Sequence, residues 1–161
     1  MTIKREAAYH EAAHAVVANL SKYHIIHGGI NLLNYGAGEF YAALSRSKCA
    51  ARGKPQDPSA AKDKDVAKDF AILLCAGLVG EQIASEHDDT LAPDPECAEP
   101  DHALAQQQLQ LAGLSEKYDI YQEQAREILK VHWNTVEKLA AYLLEHNSAS
   151  PEEIASIIGD T

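Results

Sequence analysis

Apolar residues in this chain fall mostly into long blocks with helical spacing. The first block predicts a helix from about Thr2 to Tyr23 that is apolar on nearly all sides, which is typical of a buried helix. A second predicted helix runs from about Lys62 to Glu86 and becomes wholly apolar near its middle, so we expect it to be the central core helix. Its small residues Gly77 and Gly80 would let another helix approach closely.

Between these two helices the pattern changes to short segments that favour β structure. They span His24 to Asn34 and Glu39 to Ser45, on either side of the glycine-containing stretch 35–38. Glycine tolerates positive φ, so the pattern predicts a small β-hairpin. We expect His24 and His27 to be solvated loop residues, and residues 46–60 to form a polar loop.

The second half of the chain predicts an acidic loop followed by helices. Residues 86–101 are rich in Asp and Glu, lack Lys and Arg, and contain three prolines, which predicts a non-helical loop. A helix is expected from near Asp101 to Gly113, and Ser115 is expected to cap a long helical stretch after it. The sequence 150–153 is a capping box with proline at the first helical position, and it predicts a last helix over residues 154–158.

These elements predict a mostly α fold with a small β-hairpin. At 161 residues the chain is most simply one domain, residues 1–161. Within it, residues 1–113 contain the hairpin and the chemical motif described below, and residues 114–161 form a C-terminal helical part.

Charge and composition exclude several classes of function. A formal net charge of −10 with no basic stripe disfavours a nucleic-acid partner. The longest apolar run, residues 71–80, is far shorter than the ~18–20 residues that span a bilayer, and the first residues have no apolar core of a signal peptide. Three widely spaced cysteines are typical of reduced thiols. We therefore expect a soluble cytoplasmic protein without a membrane segment.

The strongest chemical signal is the pattern H-E-x-x-H at residues 10–14 of the first predicted helix. Residues four apart lie one above the other in a helix, so His10 and His14 can reach the same ion, and zinc accepts imidazole nitrogen in a tetrahedral shell. Glu11 lies beside that face, where it can act as a general base on water. Burial of these polar groups without partners costs several kcal/mol, which favours a metal ion over an unliganded helix.

A catalytic zinc ion needs three protein ligands and one open position. The longer pattern H-E-x-x-H-x-x-G-x-x-H is absent, because Val17 and Leu20 occupy its Gly and third His positions. Glu81, beyond the most apolar stretch, is either a helix-surface residue or a partner that orients a zinc ligand. On chemistry alone the candidates for the third ligand are Glu81, Asp94, Glu99, Asp101 and His102.

Several motifs, taken in order, resemble the peptidase domain of the FtsH-type membrane-bound, ATP-dependent zinc metalloproteases. That family has H-E-A-G-H-A where residues 10–15 read H-E-A-A-H-A. Its G-G-R-x-A-E-E core helix is partly matched by residues 76–82, and its G-A-x-x-D segment by residues 97–101. Residues 125–159 are similar to its closing helices. The resemblance covers nearly the whole chain, and its first motif is the specific one.

The resemblance implies a zinc metalloendopeptidase that hydrolyses flexible or unfolded polypeptides, with one Zn²⁺ per chain. It implies that His10, His14 and Asp101 bind the metal and that Glu11 is the general base. It also implies a substrate-side edge strand, to which a peptide adds through main-chain hydrogen bonds, at Gly38, Glu39, Phe40 and Tyr41. The family forms hexamers, so a homo-oligomer is a further expectation.

The chain also departs from the family pattern. It contains no G-x-x-x-x-G-K-[ST] phosphate-binding loop, so an ATPase would have to be a separate partner. Ala13, Leu78 and Cys97 stand where the family motifs have Gly, Arg and Gly. These departures leave an alternative open, which is a zinc-binding regulatory or scaffold protein that has lost peptidase activity.

Overall fold

The computed structural model describes residues 4–34, 42–115 and 118–159, and over these residues the fold is mostly α, as the sequence predicts. The helices are α1 (Arg5–Leu20), α2 (Arg46–Ala51), α3 (Lys64–His87), α4 (Pro95–Leu111), α5 (Asp119–Val131), α6 (Trp133–His146) and α7 (Pro151–Gly159). Short 3-10 turns occupy Leu32–Asn34 and Pro58–Lys62. The strands are β1 (His24–Ile26), β2 (Ile30–Asn31), β3 (Ala42–Leu44) and β4 (Ser148–Ala149).

Helices α1 and α3 lie at the centre of the fold. Helix α1 packs against α3 and α6, and α3 also packs against α4 and α5. The approach of α1 to α3 is close because of small residues: a Cβ added to Gly80 would lie 2.5 Å from Ala13 Cβ and 3.0 Å from the backbone oxygen of Tyr9. The predicted role of this small-residue segment in helix packing is therefore confirmed.

Two small antiparallel ladders flank the helices. Strand β1 pairs with β3, with Ile26 opposite Ala42 and His24 opposite Leu44, so the two predicted β segments do pair; the predicted turn, 35–38, lies outside the described residues. Strand β2 pairs instead with β4, which the sequence did not predict. This second ladder joins the segment after α1 to the connection between α6 and α7.

The predicted loop over residues 46–60 is wrong in part, because it contains α2 and the start of a 3-10 turn. The Ser45 side chain caps α2 by accepting a hydrogen bond from the backbone N–H of Lys48, and Cys49 buries its inner face. The loop prediction was based on proline and glycine, and in this segment both occur only after the short helix.

The predicted loop over residues 86–101 is wrong after Pro95, where α4 begins. Proline at the first helical position loses no hydrogen bond, because that N–H has no partner within the helix. Pro100 does lie inside the helix. One face of α4 is nevertheless buried at helical spacing, and this burial outweighs the missing bond; the face consists of Ala98, Asp101, Ala105 and Leu109.

The C-terminal helices differ from the prediction in one boundary and agree in another. Ser115 does not cap a long helix, because α5 begins at Asp119 and a break at His132 separates α5 from α6. The capping box before α7 is confirmed: the backbone N–H of Glu153 donates to Ser150 Oγ at 3.1 Å, and the backbone N–H of Ser150 donates to Glu153 Oε1 at 2.9 Å. Among the described residues, no helix has the length and apolar character needed to cross a bilayer.

Candidate metal centre

The two histidines of the H-E-x-x-H pattern lie one helical turn apart on the buried face of α1. His10 and His14 are both almost fully buried, and their Nε2 atoms are 3.2 Å apart. The small alanines around them let α1 sit deep in the fold, so that this turn faces α3 and α4 instead of solvent.

Asp101 enters the same site from the buried face of α4. Its Oδ2 lies 3.1 Å from His14 Nε2 and 3.4 Å from His10 Nε2. The three polar atoms therefore form a nearly equilateral triangle with edges of 3.1–3.4 Å. Of the groups of His, Cys, Asp and Glu in the described part of the chain, this is the one whose atoms are placed to hold a metal ion.

Helix α3 fixes the orientation of both imidazoles through their Nδ1 atoms. His14 Nδ1 lies 2.9 Å from the backbone oxygen of Leu73, and His10 Nδ1 lies 2.7 Å from Glu81 Oε2. A carbonyl oxygen only accepts hydrogen bonds, so Nδ1 of His14 carries a proton, and the contact with Glu81 Oε2 favours a proton on Nδ1 of His10 as well. Nε2 of each ring is then left to face Asp101 Oδ2.

Glu81 also connects the site to the start of α4. It is fully buried, and its second oxygen, Oε1, accepts a hydrogen bond of 3.0 Å from the backbone N–H of Asp94, next to the first residue of the helix. The same carboxylate thus positions His10 and the helix that carries Asp101. Such hydrogen-bonded partners of a ligand orient it and raise its basicity.

The triangle fits a tetrahedral zinc ion in both chemistry and size. Two imidazole nitrogens and a carboxylate oxygen are ordinary zinc ligands, and tetrahedral ligands at 2.0–2.1 Å from zinc are about 3.3 Å apart. The space beside the rings exists because residue 77 has no side chain: a Cβ on Gly77 would lie 2.4 Å from His10 Cε1 and 2.5 Å from His14 Nε2.

The electrostatics of the cluster favour positive charge at its centre. Burial lowers the pKa of His10, but its hydrogen bonds to Asp101 and Glu81 outweigh burial and raise the pKa to about 10. Burial also opposes ionisation of Asp101, yet its contacts with His10 and His14 hold its pKa well below the usual range. Three lone pairs that converge in a buried site repel one another unless a cation lies between them.

Glu11 lies beside this cluster without a hydrogen-bond partner among the described residues. Its exposed fraction is 6%, and burial raises the pKa of its carboxyl group. A buried carboxylate that is not used by the protein's own hydrogen bonds is costly, and such groups concentrate at functional sites.

A small apolar recess opens beside Glu11. It holds about 260 Å³ of empty space including its mouth, and its described lining consists of Glu11, His14, Ala15, Ala18, Ile26, Ile30 and Ala42. Helix α1, strands β1 and β2 and the first residue of β3 thus meet beside the three converging atoms. The enclosed volume of the recess is only about 10 Å³, which is room for about one water molecule.

The remaining predicted residues lie elsewhere. Asp94 forms an ion pair of 2.9 Å with Lys4, and Glu99 is exposed. His102 follows Asp101 on α4, and its Nε2 is buried without a hydrogen-bond partner in the described structure. The proposed edge residues lie outside the described part of the chain, and they are Gly38, Glu39, Phe40 and Tyr41.

The expectation that His24 is solvated is wrong, whereas His27 is exposed as expected. His24 is buried in β1, its Nδ1 lies 2.7 Å from Asp69 Oδ2, and its ring stacks on Phe70 with centroids 4.9 Å apart. Nothing in the local sequence links residues 24 and 69, so the pattern around His24 carried no signal of this contact.

Comparison with known proteins adds no relative to this picture: no protein-family model matches the chain, and no curated protein has significant sequence similarity to it.

Proposed function

We propose that this chain is a zinc-dependent metallopeptidase that hydrolyses peptide bonds in flexible or unfolded polypeptides, similar to the FtsH-type peptidases. The observation that carries the proposal is the arrangement of His10, His14 and Asp101, whose three metal-binding atoms converge with Glu11 beside them. Neither the three converging atoms nor the buried Glu11 would by itself indicate a catalytic site. Together they are the parts of a hydrolytic zinc site.

In this proposal His10, His14 and Asp101 would hold the zinc ion. The bound ion supplies a Lewis acid that polarises the substrate carbonyl group and lowers the pKa of water. Glu81 and the backbone oxygen of Leu73 keep the two imidazoles in the tautomer that ligation requires.

Glu11 moves the proton. As a carboxylate without a hydrogen-bond partner among the described residues, it accepts a proton from the attacking water molecule. It then gives this proton to the amine nitrogen that leaves when the peptide bond breaks. Its raised pKa, which burial causes, brings it closer to neutral pH, where a general base works best.

A hydrolytic site explains the observed donor set better than a purely structural site does. Structural zinc ions are enclosed by four protein ligands, whereas a catalytic zinc ion keeps one position open. The described residues contribute three ligands, and the neighbouring space contains an apolar recess and a carboxylate. A regulatory or scaffold protein that only retains zinc has no need for Glu11 at that place.

The first test is the zinc content of the protein as purified, followed by cleavage of an unstructured substrate such as reduced and alkylated casein. We expect about one zinc per chain and metal-dependent cleavage that chelation abolishes and zinc restores. A fully zinc-loaded protein that cleaves none of a panel of unstructured substrates would contradict the proposal and favour the scaffold alternative.

Glu11→Gln is the sharper variant because it removes the base and keeps the shape of the side chain. We expect cleavage to fall by at least about a hundredfold, while the zinc content stays near that of the parent protein. Glu123→Gln, an exposed substitution of the same kind on α5, should change neither quantity. Undiminished cleavage by Glu11→Gln would rule out the assigned base.

A further inference from the structure

The connection between α3 and α4 is held against the first residues of α1. It spans residues 88–94, and four of its residues make polar contacts with residues 4–6. These four fall at every second position, and they are Asp88, Thr90, Ala92 and Asp94. Leu91, between two of them, is buried in the core. The connection is therefore fixed to α1 by its polar groups and to the core by an apolar side chain.

Arg5 and Glu6 hold the first part of this connection. The guanidinium group of Arg5 donates to Asp88 Oδ2 and to Thr90 Oγ1, both at 2.9 Å. Asp88 also accepts hydrogen bonds from the backbone N–H of Thr90 at 3.0 Å and from its hydroxyl group at 2.6 Å, so Arg5 contacts a turn that its own side chains already close. Glu6 Oε2 accepts a hydrogen bond of 2.9 Å from the backbone N–H of Ala92.

Asp94, at the end of the connection, joins these contacts to the metal centre. Its Oδ2 accepts hydrogen bonds from Lys4 Nζ at 2.9 Å and from Cys97 Sγ, in the first turn of α4, at 3.3 Å. Its backbone N–H donates to Glu81, the carboxylate that also contacts His10. One residue thus connects the start of α1, the start of α4 and the partner of a candidate zinc ligand.

The position of Asp101 depends on this connection because α4 begins directly after it. Among the described elements, α4 packs against α3 and the 3-10 turn Pro58–Lys62 but not extensively against α1, which carries both histidines. Asp101 lies two turns into α4, about 9 Å from its start at a rise of 1.5 Å per residue. Ligand distances in a metal site hold to within about 0.2 Å, so even a small shift of the helix start changes the site.

We propose that Lys4, Arg5 and Glu6, which we call the N-terminal clasp, are positioning residues of the candidate metal centre. The clasp fixes the start of α4 relative to α1, and it thereby sets the distance between Asp101 and the two imidazoles. The clasp residues do not bind zinc themselves. This inference rests on the proposed function, because it concerns the zinc site of that proposal.

The arrangement of the contacts supports a shared role over separate surface ion pairs. An isolated exposed ion pair contributes little, and Lys4 and Arg5 are both exposed. Here, however, the contacts all act on one short connection, and several charges that form a network are the exception to that rule.

The test is the zinc affinity of the triple variant Lys4→Ala/Arg5→Ala/Glu6→Ala, measured by competition with a chromogenic chelator. The temperature is kept well below the unfolding transition of every apo protein, so that a change in global stability alone does not alter the affinity. We expect affinity to fall by at least about fivefold, because residues that orient metal ligands commonly change affinity by tenfold or more.

Lys54→Ala is the matched control. It removes two ion pairs of 3.0 Å, to Asp63 and Asp65, at a place that does not contact the connection. Both variants remove one net positive charge, so a general electrostatic effect on zinc binding is the same in each. The zinc affinity of Lys54→Ala should stay within about twofold of the parent protein, as for a surface ion pair without a role at the site.

Hydrogen exchange in the apo proteins tests the clasp without any metal. The backbone N–H of Asp94 is protected by its hydrogen bond to Glu81, and we expect it to exchange at least about tenfold faster in the triple variant but not in Lys54→Ala. Faster exchange with unchanged zinc affinity would show that the connection does not position the ligand. Weaker zinc binding with unchanged exchange would show that the connection had not moved. Either result would overturn the inference.

These measurements separate failure of the clasp from failure of the proposed function. Cleavage of unstructured substrates by the parent protein, combined with parent-like zinc affinity in the triple variant, would retain the peptidase and refute the clasp. Zinc binding that weakens in the triple variant, combined with faster exchange at Asp94 but no cleavage by the parent protein, would retain the clasp and refute the peptidase. A parent protein that binds no zinc would refute both.

Discussion

The two imidazoles of α1 are held in place by three features of α3, of which the sequence indicated Glu81 as a partner of a zinc ligand. Leu73 contributes a backbone oxygen, Gly77 contributes the absence of a side chain, and Glu81 contributes a carboxylate with one oxygen for His10 and one for the backbone of Asp94. The spacing of these positions, four residues each, places them on one face of α3. The candidate metal centre is thus a contact between one turn of α1 and two turns of α3, completed by α4.

Gly77→Ala tests how tightly α3 confines the histidines. The new Cβ would lie 2.4–2.5 Å from atoms of His10 and His14, far inside van der Waals contact, so at least one ring must move. We expect zinc affinity to fall by at least about tenfold and the free energy of unfolding of the apo protein to fall by about 1–3 kcal/mol.

The matched control is Gly159→Ala, where a Cβ would meet nothing within 4 Å. Zinc affinity of that variant should equal that of the parent protein in a competition titration with a chromogenic chelator. Unchanged affinity in Gly77→Ala would mean that the rings do not occupy the positions described.

For single residues, the sequence predicted those features of the candidate site that local helix geometry determines. The spacing of His10 and His14 implies a common face in any helix, so their meeting was predictable. Asp101 remained one of five candidates on chemistry alone, and only the resemblance singled it out, because its approach depends on the packing of α4 against α3. The contact between His24 and Asp69 was missed for the same reason: it joins residues 45 apart in sequence.

Among the elements, α4 departs furthest from expectation. Its first seven residues contain Pro95 and Pro100, and local propensity alone argues against a helix there. The buried face that includes Ala98 and Asp101 decides otherwise, since tertiary packing regularly overrides propensity. The helix therefore lacks one backbone hydrogen bond at Pro100, next to Asp101, which faces the candidate metal centre.

Replacing the two prolines separately measures the cost of that defect. Pro100→Ala provides an N–H that can donate to the backbone oxygen of Glu96 and removes the ring, so we expect the free energy of unfolding to rise by about 1–3 kcal/mol. Pro95→Ala, at the first helical position, should change it by less than about 0.5 kcal/mol. Urea unfolding of both variants under chelating conditions gives the comparison, and equal effects would contradict the assigned helix start.

Other boundaries show where sequence patterns lose information. The capping box of α7 was predicted correctly because both of its hydrogen bonds lie within four residues. The break between α5 and α6 at His132 has no glycine or proline to mark it, and two-residue strands such as β4 are too short for a periodic signal. The positions of this break and of β4 are determined by contacts with residues distant in the sequence.

In the whole molecule, the candidate ligands His10, His14 and Asp101 link zinc binding to the free energy of unfolding. The three candidate ligands come from α1 and α4, which meet only in the folded chain, so we expect zinc to bind the folded state far more tightly than the unfolded state. A free zinc concentration of a hundred times the dissociation constant adds about 2.7 kcal/mol, which corresponds to a rise of about 5–10 °C in Tm for a chain of this size.

Calorimetry with zinc and with a chelator measures this shift directly. Asp101→Asn should abolish most of it, because one ligand is lost, whereas Glu99→Ala on the exposed side of the same helix should retain it. An identical Tm with zinc and with chelator in the parent protein would exclude a folded-state zinc site at these residues.

The distribution of the ligands along the chain has a consequence for its synthesis. Asp101 is 87 residues beyond His14, and Glu81 is 71 residues beyond His10. At translation rates of about 5–20 residues per second, roughly 4–17 s separate the synthesis of His14 from that of Asp101. During this interval the nascent chain contains His10, Glu11 and His14 but not Asp101, so the proposed peptidase site cannot assemble on the ribosome until α4 has been made.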